Sequence, residues 1–261
     1  EWMLLPLVVL LLMFSIWRKW GKDLPITVTT QFYPPENISP SVAGYVIDGK
    51  LNRRDLTALI PYWGAGGYLK VEETEKKRIL GLLTDHEYKF IKIKDLPATA
   101  EAFEQTMFNG LFSGRDEVLL SDLKNSFYTT MNASKRKLEN EIIQEHYYVR
   151  FTRTFSAVLP VIGAIFFILG IINLFSNYPL DTIFWVCVSV SALIVIILGA
   201  LMTKKTEKGT ELYQKLLGFK EFIKSVEKDR LQEFLKQDPN YFDKVLPFAI
   251  VFDVADTWKD K

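Results

Sequence analysis

The sequence predicts a mainly α-helical membrane protein with three transmembrane helices, a cytosolic winged-helix-like α+β module and a helical C-terminal tail that docks on this module. Three observations support this fold class. The 261-residue chain is 49% apolar, and many of its apolar residues are collected into three runs. Lysine and arginine flank only one end of each run. Helix and strand patterns follow one another between the first two runs.

Composition argues against several other classes of protein. The 32 Lys and Arg residues against 31 Asp and Glu leave a net charge of +1, so no large positive field indicates nucleic-acid binding. The single cysteine cannot form an internal disulfide, and it lies in an apolar run rather than in a zinc-binding spacing. An aromatic content of 14% is too high for a disordered chain.

The three apolar runs are Trp2 to Trp17, Thr154 to Phe175 and Ile183 to Met202. At 1.5 Å per residue, helices over the last two are long enough for a hydrocarbon layer of roughly 30 Å. The first run is shorter and follows Glu1, which is not an initiator methionine, so we expect a span whose upstream part has been cut away. A signal peptide is the alternative, but its cations should precede the run, whereas here they follow it: Arg18, Lys19 and Lys22.

The flanking cations predict the orientation of the spans. The connector from Ser176 to Thr182 contains no Lys or Arg. The positive-inside rule therefore places the start of the chain outside, residues 18–153 inside, this connector outside and residues 203–261 inside. All 32 Lys and Arg residues then lie in the cytoplasm. We expect a tight hairpin around Asn177-Tyr178-Pro179.

The segment between the first two spans begins with the features of a winged helix. A short helix over Ser41 to Gly49 is closed by its glycine, and a second is expected from Arg53 to Tyr62 or Trp63. After a glycine-rich turn, Tyr68 to Glu72 and Tyr88 to Ile93 alternate with period two and predict antiparallel strands. Two helices, a turn and a two-stranded wing form a winged-helix-like module over residues 21–97.

Winged helices often bind DNA, but the charge of this module argues against it. Arg53 and Arg54 begin the second helix, whereas Asp55 and mostly apolar residues follow them. Residues 18–153 carry nearly equal numbers of cations and anions, unlike a surface that neutralises phosphates. A protein-interaction module therefore fits the segment better, and a membrane-tethered regulator whose module binds DNA is the alternative.

Residues 98–150 predict a helical segment. A helix over Ala98 to Phe112 is followed by a short extended piece, Val118 to Leu120. Ser121 is then expected to cap a helix that runs to about Tyr148. Its apolar stripe fits core packing, with a coiled coil as the alternative.

The tail over residues 203–261 predicts two helices. The first runs from Lys204 to Gln237, and Asp238-Pro239-Asn240 ends it. The second, from Tyr241 to Trp258, is apolar on much of its surface and must dock on the module or on residues 98–150. Before this break lies a dense charge cluster, which is either a solvated helix face or a docking ion pair: Glu227, Lys228, Asp229 and Arg230.

Ordered sequence matches from Pro34 onward resemble the cytosolic part of the YciQ-like predicted membrane proteins, a bacterial family of unknown function. The motifs are Ser41 to Gly49, Gly67 to Glu73, Val118 to Lys124, Gly218 to Ile223 and Leu246 to Ile250. Two positions depart from the family: Phe248 stands where a tyrosine is usual, and Phe252-Asp253 replace a usual glycine. The resemblance implies an extracytoplasmic β-rich domain before the first span. It also implies LemA-like membrane proteins as partners, but no catalytic residues.

The residues themselves predict no enzyme. His86 and His146 are far apart and lack a metal-ligand spacing, and Cys187 lies mid-span. The glycines after the second helix precede a strand, the reverse of a phosphate-binding loop. No cofactor or metal is therefore expected, and spans without ionisable residues argue against transport by this chain alone.

We therefore expect a non-enzymatic, multi-pass bacterial membrane protein that links an outside domain to a cytosolic interaction module. Its partners are the lipid bilayer and protein subunits or further copies in a membrane complex. The expected segments are span one (1–20), the module (21–97), a helical segment (98–150), span two (154–175), span three (183–202) and the tail (203–261). The candidate interaction residues are Arg53, Arg54, Glu227, Lys228, Arg230 and Trp258.

Overall fold

The computed structural model describes residues 2–77, 84–124, 127–176 and 182–260. The chain divides into two compact units. The span unit comprises Glu1–Ile26 and Glu145–Glu211, and the module unit comprises Thr27–Gln144 and Leu212–Lys261. The chain therefore passes from one unit to the other three times.

The span unit contains three helices that are long and apolar enough to cross a membrane, judged by length and composition. They are Trp2–Gly21, which includes α1 (Leu5–Ile16), α8 (Arg150–Leu174) and α9 (Thr182–Ala200). The prediction of three such helices is confirmed. The expected hairpin at Asn177 to Pro179 lies outside the described residues.

Small residues let the helices of the span unit approach closely. A Cβ atom on Gly163 would lie 3.0 Å from the backbone oxygen of Ala192, and one on Gly199 would lie 2.7 Å from Leu159 Cβ. Close contact through small residues is typical of helices that associate in membranes, where burial of apolar surface adds little.

The module unit begins with three short helices. The first, α2 (Pro40–Asp48), is capped by the Ser39 hydroxyl and ends at Gly49, which has a left-handed φ of 70°. The prediction of a single helix from Arg53 to Tyr62 or Trp63 is wrong: the chain forms α3 (Arg53–Thr57) and α4 (Leu59–Ala65). The break follows from Pro61, because its ring crowds the Thr57 carbonyl and it has no N–H to donate.

A three-stranded sheet follows, in the order β1 (Leu69–Lys77), β2 (Thr84–Lys92) and β3 (Glu117–Leu119). The predicted antiparallel pair is confirmed, with Val71 opposite Phe90. The expected two-stranded wing is wrong in strand number, because Val118 of the extended piece pairs with Phe90. Three residues are too few for a period-two pattern to reveal a strand.

The helical segment ends earlier than the sequence predicts. After α5 (Ala102–Phe112) come α6 (Leu120–Leu123) and α7 (Phe127–Gln144), with residues 125 and 126 outside the described part, and α7 ends before the expected Tyr148. Ser121 is not a helix cap: its backbone N–H donates to the Glu87 carboxylate at 2.9 Å. The helix ends early because the following backbone pairs with a later segment, as in the bond from Val149 N–H to the Lys204 carbonyl at 2.9 Å.

The tail forms four helices rather than two. They are α10 (Glu207–Ser225), α11 (Lys228–Gln237), α12 (Tyr241–Val251) and α13 (Ala255–Lys259). The predicted break at Asp238 to Asn240 is confirmed. A second break separates α10 from α11 at Val226, which is buried, and Glu227, which is exposed. A third separates α12 from α13, and in this turn Asp253 has a φ of 61°. The apolar helix α12 packs against α2, α3 and α4.

Candidate interaction site at the tail junction

A polar cluster lies where the turn between α12 and α13 meets α2 and α3. The Arg54 guanidinium contacts two carboxylates, Asp48 at 2.8 Å and Asp253 at 2.9 Å. The Asn52 side-chain amide also donates to Asp48, at 2.6 Å. The pair of Arg54 and Asp253 joins the module helices to the tail.

Local sequence explains how this cluster forms. Gly49 turns the chain at the end of α2, and a capping box at the start of α3 then fixes Asn52 and Asp55. In this box the Asn52 backbone N–H donates to Asp55 Oδ2 at 2.7 Å. The same short loop therefore orients Arg54 outward and Asp55 inward.

Asp55 is the unusual group of the cluster, because its carboxylate is completely buried. Its Oδ1 atom has no hydrogen-bond partner, and a Cβ atom on Gly44 would lie only 2.4 Å from it. Burial raises the pKa of Asp55 to about 7, although the hydrogen bond from the Asn52 backbone lowers it. The Asp48 charge also raises this pKa, and the Arg54 charge lowers it. This carboxyl group therefore changes charge near neutral pH.

An open surface pocket of about 520 Å³ lies next to this cluster. Its lining residues are Asp48, Lys50, Asn52 and Arg54. The pocket presents both signs of charge together with an amide. Such a mixture suits a polar protein partner better than a phosphate backbone, for which a basic surface is required.

The structure separates the six predicted interaction residues. Arg53 is exposed at the start of α3, next to Arg54 in the cluster. Glu227 and Lys228 are exposed at the start of α11. Arg230 contacts Glu233 at 3.3 Å and lies over the rings of Phe32 and Phe234. Within the part of the chain that is described, no ion pair links these α11 residues to α2, α3 or α4.

Trp258 has no exposed surface. Its ring stacks on Phe242 at 5.4 Å between centroids and meets the ring of Tyr241 at 6.2 Å. The residue therefore holds α13 against α12 within the module unit, where a partner chain has no access to it.

Sequence reasoning missed Asp253 and Asp55 as members of the cluster. Asp253 carried a signal, since the resemblance to the YciQ-like family implies a glycine in place of Phe252-Asp253, and its φ of 61° is one that glycine adopts readily. Asp55 carried no separate signal, because an acidic residue in the first turn of a helix is ordinary.

These features define a mainly helical protein with three membrane-length apolar helices and a small mixed α/β unit. Residues 29–261 match the family described as predicted membrane protein (DUF2207), C-terminal domain, and the chain belongs to this family. The predicted resemblance is thus confirmed at the level of a membrane protein family of unknown function. No curated protein and no solved structure shows significant similarity to the chain.

Proposed function

We propose that this chain is a non-enzymatic integral membrane protein that couples an outside domain to a cytosolic protein-interaction module within a membrane complex. In this proposal residues 18–153 and 203–261 are cytoplasmic and the start of the chain is outside. The location of every Lys and Arg in these segments supports that orientation.

The observation that carries the proposal is the packing of two chain segments that follow different apolar helices. Thr29, which comes after the first helix, lies so close to Gly218 of α10 that a Cβ atom there would be 1.9 Å from its carbonyl oxygen. The next aromatic residue, Phe32, packs edge-on against Phe222 at 5.2 Å and contacts Phe234 at 5.7 Å. A displacement of the segment that contains Thr29 and Phe32 therefore requires a displacement of α10 or α11 within the module unit, and the reverse also holds.

A hydrogen bond strengthens this packing. The Tyr241 hydroxyl donates to the carbonyl oxygen of Phe32, and Tyr33 packs edge-on against the Tyr241 ring at 5.3 Å. The segment after the first apolar helix is thus tied to α12, the helix that packs on α2, α3 and α4. Within the module unit, this chain of contacts runs from Phe32 and Tyr33 through α12 to the helices beside the pocket.

We assign the module to a winged-helix-like fold used for protein contact. The order of α3, α4 and the β1–β2 hairpin supports this assignment, and β3 extends the wing. Within the family, the motifs quoted above favour a YciQ-like protein, for which LemA-like membrane proteins are the partners we propose.

The test is the mass of the full chain after gentle extraction from its native membrane. We expect a complex larger than one chain, and reversal of a pocket charge by Lys50→Glu should reduce its yield. Lys124→Glu reverses an exposed charge on another part of the module unit and serves as the matched control. A strict monomer, or equal loss in both variants, contradicts the proposal.

DNA binding by the module is the second candidate, and the exposure of Arg53 at the start of α3 favours it. The sample for this test is the full chain in detergent, because α12 of the tail packs on α2, α3 and α4 and a fragment without the tail would lack this packing. Salt-sensitive mobility shifts that Arg53→Gln weakens would support this candidate, and their absence with any duplex would reject it.

A further inference from the structure

A π-helical turn, Trp17–Gly21, ends the first apolar helix. Its wider spacing is visible in the bond from the Lys22 N–H to the Trp17 carbonyl at 2.9 Å. Gly21 is buried, and a Cβ atom on it would lie 3.2 Å from the Met202 side chain. The turn thereby leaves Arg18, Lys19 and Trp20 exposed.

Aromatic rings connect this turn with the start of α8. Trp20 lies 5.9 Å from Phe151 between ring centroids, and Phe151 lies 4.2 Å from Phe155. Trp20 is 48% exposed and Phe151 is 51% exposed. The Lys19 ammonium lies 5.2 Å from the Trp20 ring. Arg18, Lys19 and Trp20, together with Arg150 and Phe151 on α8, form what we term the juxtamembrane site.

This site has a surplus of positive charge, in contrast to nearby parts of the span unit. There Lys205 pairs with Asp23 at 3.2 Å, and Lys208 pairs with Glu145. No ion pair of the described residues involves Arg18, Lys19 or Arg150. The first turn of α8 has no acidic residue, so the positive end of that helix adds to the charge of Arg150.

The surface beside these cations is apolar. Phe14 on α1 is 47% exposed, and Val158 and Ile162 continue the exposed apolar surface along α8. A small anion would satisfy the cations but would leave this surface uncovered. A phospholipid with an anionic headgroup satisfies both, because its headgroup meets the cations and its acyl chains cover the apolar side chains.

We infer that the juxtamembrane site binds an anionic phospholipid, with its headgroup held by Arg18, Lys19 and Arg150 and its interfacial region packed against Trp20 and Phe151. This inference rests on the proposed location of the chain in a membrane. It adds a class of ligand, and a place for it, to that location.

The experiment uses native mass spectrometry of the full chain in detergent with equal amounts of phosphatidylglycerol and phosphatidylcholine. Each basic residue near an anionic surface strengthens lipid binding about fivefold, so we expect the wild type to prefer phosphatidylglycerol at least about tenfold. The triple variant R18Q/K19Q/R150Q should lose this preference. The triple variant K124Q/R136Q/K236Q removes the same charge from exposed positions of the module unit and should retain it.

Each alternative outcome has a defined meaning. No lipid preference in the wild type, or equal loss in both triple variants, overturns the inference. Competition by millimolar inorganic phosphate would identify a site for small anions and also overturn it. If the first triple variant does not fold, Arg150→Gln alone should weaken the preference about fivefold, and an unchanged preference counts against the site. Recovery of the wild type from cells without detergent would instead contradict the membrane location.

Discussion

Asp55 shows how one buried side chain makes the stability of this protein depend on pH. Its pKa is about 7 in the folded chain and 3.8 in its ordinary state, because burial disfavours the carboxylate. Between these values the folded state binds more protons than the unfolded state, so stability falls as pH rises from about 4 to about 7. Above that range the loss is complete and constant.

The variant Asp55→Asn should remove this dependence. Its amide oxygen can still accept the bond from the Asn52 N–H, and it has no charge to bury. We expect the variant to be more stable than the wild type by about 4 kcal/mol at pH 8 and nearly equal to it at pH 4. Chemical denaturation of the full chain in detergent at both pH values measures this difference.

Asp116→Asn is the control, because it makes the same replacement at an exposed carboxylate of the module unit. An Asp55→Asn variant that is less stable at pH 8 would show that the buried carboxylate is a net stabilising group.

Gly218 is a second residue whose replacement should change stability, because its position leaves no room for a Cβ atom. A Cβ atom there would lie 1.9 Å from the Thr29 carbonyl oxygen, and backbone cannot yield as a flexible side chain does. We expect Gly218→Ala to lower the thermal stability of the full chain by about 1–3 kcal/mol, as overpacking does elsewhere. In Gly64→Ala the nearest atom would be 3.9 Å away and the residue lies in α4, so this control should be no less stable than the wild type. Equal stability of both variants contradicts the close packing of Thr29 on α10.

At the scale of elements, the turn between α12 and α13 combines a strained backbone with an ion pair. Asp253 has a φ of 61°, which glycine adopts without strain, and its carboxylate pairs with Arg54 although its side chain is 78% exposed. An exposed pair contributes about 0–1 kcal/mol, comparable to the strain that glycine would relieve.

We therefore expect Asp253→Gly to change stability by less than about 1 kcal/mol. Asp253→Val loses the pair and keeps a β-branched residue at positive φ, so it should be less stable by about 2 kcal/mol. Unfolding of the full chain in detergent measures both. If the glycine variant is less stable than the wild type by more than about 1 kcal/mol, the ion pair outweighs backbone strain in this turn.

The long elements of the fold could be predicted from the sequence, whereas their interruptions could not. Apolar length revealed the three membrane-length helices, and alternation revealed the β1–β2 pair. The break between α3 and α4 depends on Pro61, whose effect on the preceding turn competes with an uninterrupted apolar stripe. Ser121 resembled a cap, but Glu87 from a distant strand supplies the bond at that turn. Such contacts join residues far apart in the chain, so no local pattern contains them.

At the scale of the whole molecule, the proposed topology predicts which positions a membrane-impermeant thiol reagent reaches in intact cells. In a Cys187→Ala background, Ser176→Cys should be labelled, because the proposed topology places the connector outside. Asn132→Cys and Gln237→Cys should be labelled only after the membrane is opened. All three positions are exposed, so protection reports the compartment rather than burial. Labelling of either of the last two in intact cells overturns the orientation.

The sequence predicted only part of the candidate site, because the site joins segments that are far apart in the chain. Arg54 was identified from its place at the start of a helix, but its partner Asp253 lies in the tail and meets it only after the chain has passed through the span unit. Trp258 was predicted as an interaction residue because it lies in an apolar helix, but its side chain is buried in the core of the module unit.

The interrupted course of the module unit has a consequence for biosynthesis. Residues 27–144 leave the ribosome before α8 and α9, while α12, which covers α2, α3 and α4, emerges after both. Until then the parts of these three helices that α12 covers have no cover from it. The nascent chain must therefore be protected against premature association while its later hydrophobic helices are being synthesised, and we expect factors that shield exposed apolar surface to be needed for its production.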